Sequence, residues 1–392
     1  VTVSNAINIQ GTTDQVTAAL VTDDSLVVAA NATVELDDAS TVAELNAIAP
    51  KAGVITGSIA ATSLASLSDL STAGTDVITI TVNDANSTNI NAEDLSALGG
   101  KTAGVVTVSN AINIQGTTDQ VTAALVTDDS LVVAANATVE LDDASTVAEL
   151  NAIAPKAGVI TGSIAATSLA SLSDLATAGT DVITITVNDG AASGLSATDL
   201  STLGGKTAGT VTVSNAVVIS GTTSQVTAAL VTDETKVTAG SALVTISDAN
   251  TTNINAEDLS AIGEKTSGQV TVSNAINIQG TTDQVTAALV TDDSLVVAAN
   301  ATVELDDAST VAELNAIAPK AGVITGSIAA TSLASLSDLS TAGTDVITIT
   351  VNDANSTNIN AEDLSALGGK TAGVVTVSNA INIQGTTDQV TA

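Results

Sequence analysis

Three acidic clusters recur along the 392-residue chain: Asp23 with Asp24, Asp37 with Asp38, and Asp84 flanked by Asn83 and Asn86. Carboxylate and amide oxygens at this density are the ligand type that hard cations take, six to eight at a time. No cofactor is expected; such a surface would attract calcium or magnesium loosely, and for calcium the candidate ligands are Asp23, Asp24, Asp37, Asp38, Asp84 and Asn86. The stretch from Asp84 matches the start of a calcium-binding loop only at Asp84 and Asn86. It has Asn89 where the loop needs glycine and Leu95 where the bidentate glutamate belongs. The glycine-aspartate nonapeptide of calcium β-rolls is also missing. A solvated anionic surface is the plainer expectation.

Other chemistry is excluded by what the chain lacks. It contains no His, Cys, Tyr, Phe, Trp, Met or Arg. The usual general bases, thiolate nucleophiles, sulfur-based zinc sites and bidentate anion clamps are thereby removed. A Ser-Lys pair would remain for catalysis. Yet Lys51, Lys156 and Lys320 follow proline at one kind of helix end, and Lys101, Lys206, Lys265 and Lys370 close another, positions that complement a helix dipole. The sequence is read as non-enzymatic.

Forty-two acidic residues against eight lysines give a net charge of -34. No basic cluster neutralises phosphates and no aromatic platform stacks bases, so nucleic acid is not an expected partner. Polar residues interrupt every apolar run, so no membrane-spanning segment is expected. Six asparagines (Asn31, Asn86, Asn136, Asn250, Asn300 and Asn355) fit the N-x-Ser/Thr acceptor pattern, a match that chance supplies in so Asn- and Thr-rich a chain.

The elements that carry these residues are copies of one another. Residues 1–123 return letter for letter at 270–392, and the opening words VTVSNA also return at Val106 and Val211. This gives one repeat array with modules 1–105, 106–210, a short 211–269, 270–374, and the start of another at 375–392. The sequence reads as a stretch of something longer. Within a module, four repeats of about 23 to 29 residues open near Val1, Val27, Val54 and Val77. Each begins with two short β-type runs, such as VTVS and INIQ, LVVAA and TVEL, or VITG and SIAA. Asn5, Asn31 and their copies are placed at the bends, where asparagine tolerates a left-handed backbone.

A segment with helical spacing follows the strands. Val42, Leu45 and Ile48 mark one, Leu64, Leu67 and Leu70 a second, Leu95 and Leu98 a third. Ser40 and Asn91 are expected as N-caps, and Gly53, Gly99 and Gly100 as stops. The 44% hydrophobic content is almost all Ala, Val, Ile and Leu, suited to thin stacked layers. The predicted fold is a β-solenoid with short helices, its parallel strands stacked in coils of about 26 residues. The short module keeps the first and last coils and omits the middle pair, a loss that a stack tolerates. A string of antiparallel β-sandwich domains is the rival.

The words VTVSNAINIQGTTDQVTAAL, DANSTNINAEDLSALGGKTAG and DDASTVAELNAI resemble the repeats of giant cyanobacterial cell-surface and extracellular proteins. That resemblance spans the chain and implies export, an extracellular or cell-surface location, and a structural fibre or filament that associates with itself end to end or laterally. A calcium-dependent adhesin arm, presenting a ligand-binding domain outside this segment, is the alternative.

Overall fold

A computed structural model describes residues 1–22, 27–127, 130–232, 236–291 and 294–391. The chain forms two compact units, Val1–Thr186 with Gly205–Thr210, and Val187–Gly204 with Val211–Ala392. Parallel strands alternate with short helices throughout both.

In the first unit the strands Asn8–Gly11, Thr33–Ser40, Val54–Ile59, Val77–Val82, Val106–Val108 and Val132–Val133 pair in that order, each parallel to the next. The register shows the repeat directly. Asn8 faces Thr33, Thr33 faces Val54, Thr56 faces Val77 and Ile80 faces Val106. Steps of 25, 21, 21 and 26 positions follow, so two repeats are shorter than the sequence suggested. The second unit repeats the plan with Gly194–Ser196, Val218–Gly221, Leu243–Ile246, Val270–Val272 and Val296–Val297 in one sheet. A second sheet there runs from Asn253–Asn255 to Val375–Val377. Parallel pairing is incompatible with antiparallel sandwiches, whose hairpins need neighbouring strands to reverse.

Alternation decides which side chains are buried. In VITITV the side chains of Ile78, Ile80 and Val82 are wholly buried, while Val77 and Thr79 face outward. Helices supply the other side of this core. Thr13–Leu20 buries Val16 and Leu20, Val42–Ile48 buries Leu45 and Ile48, and Ala92–Gly99 buries Leu95 and Leu98. Two turns are too few for an isolated helix, so this packing holds them.

Several local expectations are corrected. The helix at Val42 is capped by Thr41, in a capping box with Glu44, and not by Ser40, whose hydroxyl is fully buried against Thr13 Oγ1 at 2.6 Å. Asn91 does occupy an N-cap, but its amide donates to Asp94 and makes no cap bond to the helix backbone. VITG and SIAA are not two runs about a bend, because Val54–Ile59 is one continuous strand. The helix in SLASLSDL covers only Leu64–Leu67, although Leu70 beyond it is buried.

The corner asparagines turn the chain without a left-handed backbone. Among the described residues, the non-glycine positions with positive φ are Ser87, Ala192, Lys236, Thr251 and Ser356. Asn110 instead works through its side chain, donating to Asn83 Oδ1 at 2.9 Å and to the Asp84 carbonyl at 2.6 Å, one repeat back. Its own carbonyl accepts from Ile112 N–H at 3.0 Å, which closes a three-residue turn.

The helices with sequence TDQVTAAL show how local the start signal is. Thr117 accepts from Gln120 N–H, and the Gln120 side chain accepts from Thr117 N–H at 2.9 Å. Replacing Thr117 by Ala is expected to cost about 1 kcal/mol, the usual price of a lost cap. A urea titration, with amide exchange over Thr118–Leu125, measures it.

Candidate functional site

A local shift in strand register places the acidic pairs. Between Thr33–Ser40 and Val54–Ile59 the pairing runs Glu35 to Thr56 and then Ala39 to Ser58, so four steps on one strand meet two on the other. The surplus residues include Asp37 and Asp38, which leave the ladder. Asp38 turns back onto the preceding repeat. Its Oδ1 accepts from Thr13 N–H and Thr13 Oγ1, both at 2.7 Å, at the start of helix Thr13–Leu20. Asp37 accepts from Gln10 Nε2 at 3.0 Å.

Asp84 does the same work elsewhere. Its Oδ2 accepts from Leu64 N–H at 2.7 Å, capping the helix one repeat behind it. Asn86 accepts from Ala111 N–H at 3.2 Å, and Asn250 and Asn355 repeat that contact with Ala275 and Ala380. Asp23 and Asp24 lie outside the described residues. The four candidates that are described thus spend oxygens on hydrogen bonds between repeats. Among the described residues, no group of three or more acidic, His or Cys side chains comes together in a way that could hold a metal.

These bonds leave an electrostatic mark. Thr13 N–H, and next the Thr13 hydroxyl, hold the Asp38 carboxyl below its usual 3.8, and Thr118 and Thr282 do so for Asp143 and Asp307. Glu140 lies below its usual 4.5 because Gln115 and then Asn113 donate to it, as Gln279 and Asn277 do for Glu304. A carboxyl whose pKa is lower folded than unfolded contributes stability in full above the unfolded value. It loses that contribution as the pH falls through the folded one. Stability owed to these five groups is therefore expected to be complete above about pH 5 and to fall away below about pH 4. Urea midpoints against pH measure this, and an Asp143→Asn variant should show a shallower acid loss than the parent.

A ladder of amides runs beside the acids. Asn113 Nδ2 donates to Asn89 Oδ1 at 3.1 Å, and Thr138 Oγ1 donates to Asn113 Oδ1 at 3.1 Å, which links three successive repeats. Asn253, Asn277 and Thr302 repeat it in the second unit. Lys101, Lys206 and Lys370 join the same scheme. Lys101 Nζ donates to the Ser68 carbonyl at 3.0 Å, and Lys370 to that of Ser337 at the same distance. They satisfy helix-end carbonyls one repeat away, as dipole complementation requires.

Sequence reasoning missed two features. One is a cleft of about 410 Å³ in the first unit, with a copy of about 560 Å³ in the second. It opens where the one-turn helix Leu64–Leu67 lies beside the two-turn Ala92–Gly99. Leu67, Ile90 and Leu98 line it below a rim of Asp84, Asp94 and Lys101. The short run LASL was the signal for it.

The other is a buried polar knot. Asp76, 3% exposed, accepts from Ile55 N–H and Ala73 N–H, each at 2.8 Å. Beside it Thr102 Oγ1 accepts from Ile78 N–H and Gly104 N–H, both at 2.8 Å. The recurring words GTD and KTAG carry these residues.

No protein-family model and no curated protein matches the chain. Among solved structures it is similar to a plant peptide hormone receptor, RGFR1 in complex with RGF2, with 11% identity and a TM-score of 0.19. The match covers 96% of this chain and 63% of that one, so the chain spans less than two thirds of the receptor's length. A score this small transfers nothing from that receptor. Among the described residues no helix is long and apolar enough to cross a membrane.

Proposed function

We propose that this chain is a structural, non-enzymatic segment of an extracellular or cell-surface fibre, and that each compact unit is a solenoid wound at one coil per repeat. One observation carries the reading: polar side chains bond the neighbouring repeat again and again along the chain. Asp38 to Thr13, Asp84 to Leu64, Asn113 to Asn89 and Lys101 to Ser68 all span 20 to 33 positions. The same bonds recur in the copies, as in Asp307 to Thr282 and Asp353 to Leu333. An enzyme concentrates its reactive groups at one place, whereas a scaffold distributes them along its length. The location rests on the resemblance of the repeats to giant surface proteins, and self-association belongs to the same reading.

Arrays built from increasing numbers of these modules test it. Electron micrographs are expected to show particles of constant width whose length grows by roughly 19 Å for each four-repeat module, at about 4.8 Å per strand. Particles that widen in all directions with module number would overturn the solenoid fibre. Antibody labelling of intact, unpermeabilised cells tests the location.

A further inference from the structure

We infer that the outward face of the parallel sheet around Val77, Thr79, Thr81, Val105, Thr107 and Val133 is a lateral contact surface for a second copy of this chain. Strand Val77–Val82 turns its isoleucines inward and leaves Val77, Thr79 and Thr81 on the outside. The register then aligns Thr81 with Thr107 and Thr107 with Val133 on successive strands. Val77, Val105 and Val133 are 41%, 44% and 51% exposed, high for aliphatic side chains in a sheet. The second unit carries its own version, in which Val346 is 42% and Val374 66% exposed and Thr350 aligns with Thr376.

Charge selects the occupant. None of the six residues ionises, in a chain of net charge -34. Two copies repel through acidic surfaces, so an uncharged strip is where they meet without setting carboxylates against each other. A cationic partner would be drawn to the acids instead, and an aromatic or long apolar anchor would need a pocket, which a flat row of β-branched residues does not offer. Two such rows share one spacing, about 4.8 Å along the stack, so their methyl groups interdigitate at the usual distance of about 10 Å between sheets. The contact is isologous, since the same patch serves both partners.

Area sets its strength. At about 4.8 Å between strands and about 6.8 Å between outward residues, the six side chains present roughly 200 Å², against about 800 Å² per partner in a stable pair. A segment with a few such strips therefore pairs weakly, and arrays with many strips pair cooperatively. This surface gives the proposed fibre its lateral contact and rests on that reading for its purpose, although the geometry of the strip does not depend on it.

Sedimentation of the whole segment tests the inference. At low salt it is expected to be monomeric. In about 1 M sodium chloride, where the screening length falls to roughly 3 Å, dimers and larger species should appear as concentration rises. A variant with Val77, Val133, Val182, Val297 and Val346 each replaced by Glu changes exposed positions only and should remain monomeric with an unchanged melting temperature. A matching Val→Thr variant at the same five positions should associate like the parent. A parent that stays monomeric at every salt and concentration overturns the inference, as does a Glu variant that associates as the parent does. Inhibition of ice growth by monomers, lost in the Glu variant without any self-association, would assign the face to ice and also overturn it. Arrays that image as fibres while the Glu variant still bundles would spare the fibre and reject the strip. Globular arrays whose association is abolished by Glu would do the reverse.

Discussion

Adding a single methyl group at Gly104 is expected to destabilise the first compact unit by about 3 kcal/mol or more, the upper range for overpacking. A Cβ there would lie 2.3 Å from the Ile78 carbonyl oxygen and 2.5 Å from its carbon. Both atoms belong to the backbone of a strand whose interior side chains are completely buried, so neither can swing aside. The glycine is required by this close approach and not by an unusual φ. Gly209, Gly268 and Gly373 meet the same obstacle, at 2.5, 2.2 and 2.4 Å from a carbonyl oxygen. Gly194 has nothing within 4 Å of its added methyl and is the natural control. Urea unfolding should place Gly104→Ala far below the parent and Gly194→Ala within about 0.5 kcal/mol of it. Equal midpoints for the two variants would contradict the steric reading.

Asp76→Ala should produce the second large loss. The carboxylate joins two segments by accepting from Ile55 N–H, a full repeat back, and from Ala73 N–H in its own turn. Its removal leaves the buried Ile55 donor without a partner, at about 1 to 3 kcal/mol, and also frees the part-buried Ala73 donor. A total of roughly 3 kcal/mol follows. Asp76→Asn should fall between parent and Ala, because an amide offers one acceptor oxygen where the carboxylate offers two. Amide exchange at Ile55 and Ala73 provides the local readout, with both protons exchanging faster in Asp76→Ala. Asp181 and Asp345 hold the same two bonds in their own modules and should respond alike.

The strands and their parallel stacking were legible because one period controls both pattern and pairing. Val and Ile at alternate positions of VITITV can face only one core, and copying the word down the chain brings like strands together. Helix positions were legible from leucine spacing, but their ends were less so. Ser40 and Thr41 are both good capping types, and the choice turned on Ser40 being buried against Thr13, a contact 27 positions away that no local rule contains. Asn110 was correctly placed at a corner for the wrong reason, since its amide holds the preceding repeat and the left-handed backbone falls to Ser87. The described acidic candidates also make contacts that the sequence did not show. Asp38 accepts from the start of a helix on another repeat, a contact that carries no local signature. Lys101 was read as a helix-end cation, but the carbonyl it serves lies 33 positions back.

The direction of the Asp38 and Asp84 contacts matters while the chain is being made. In each case the carboxylate that completes a helix start comes from a residue 20 to 25 positions later. A nascent helix emerging from the ribosome therefore keeps its first amide groups in water until the next stretch arrives, a delay of about 1 to 5 s at ordinary translation rates of 5 to 20 residues per second. The repeats that carry these two helices are therefore completed by their successors, so that their maturation proceeds from the amino end toward the carboxyl end.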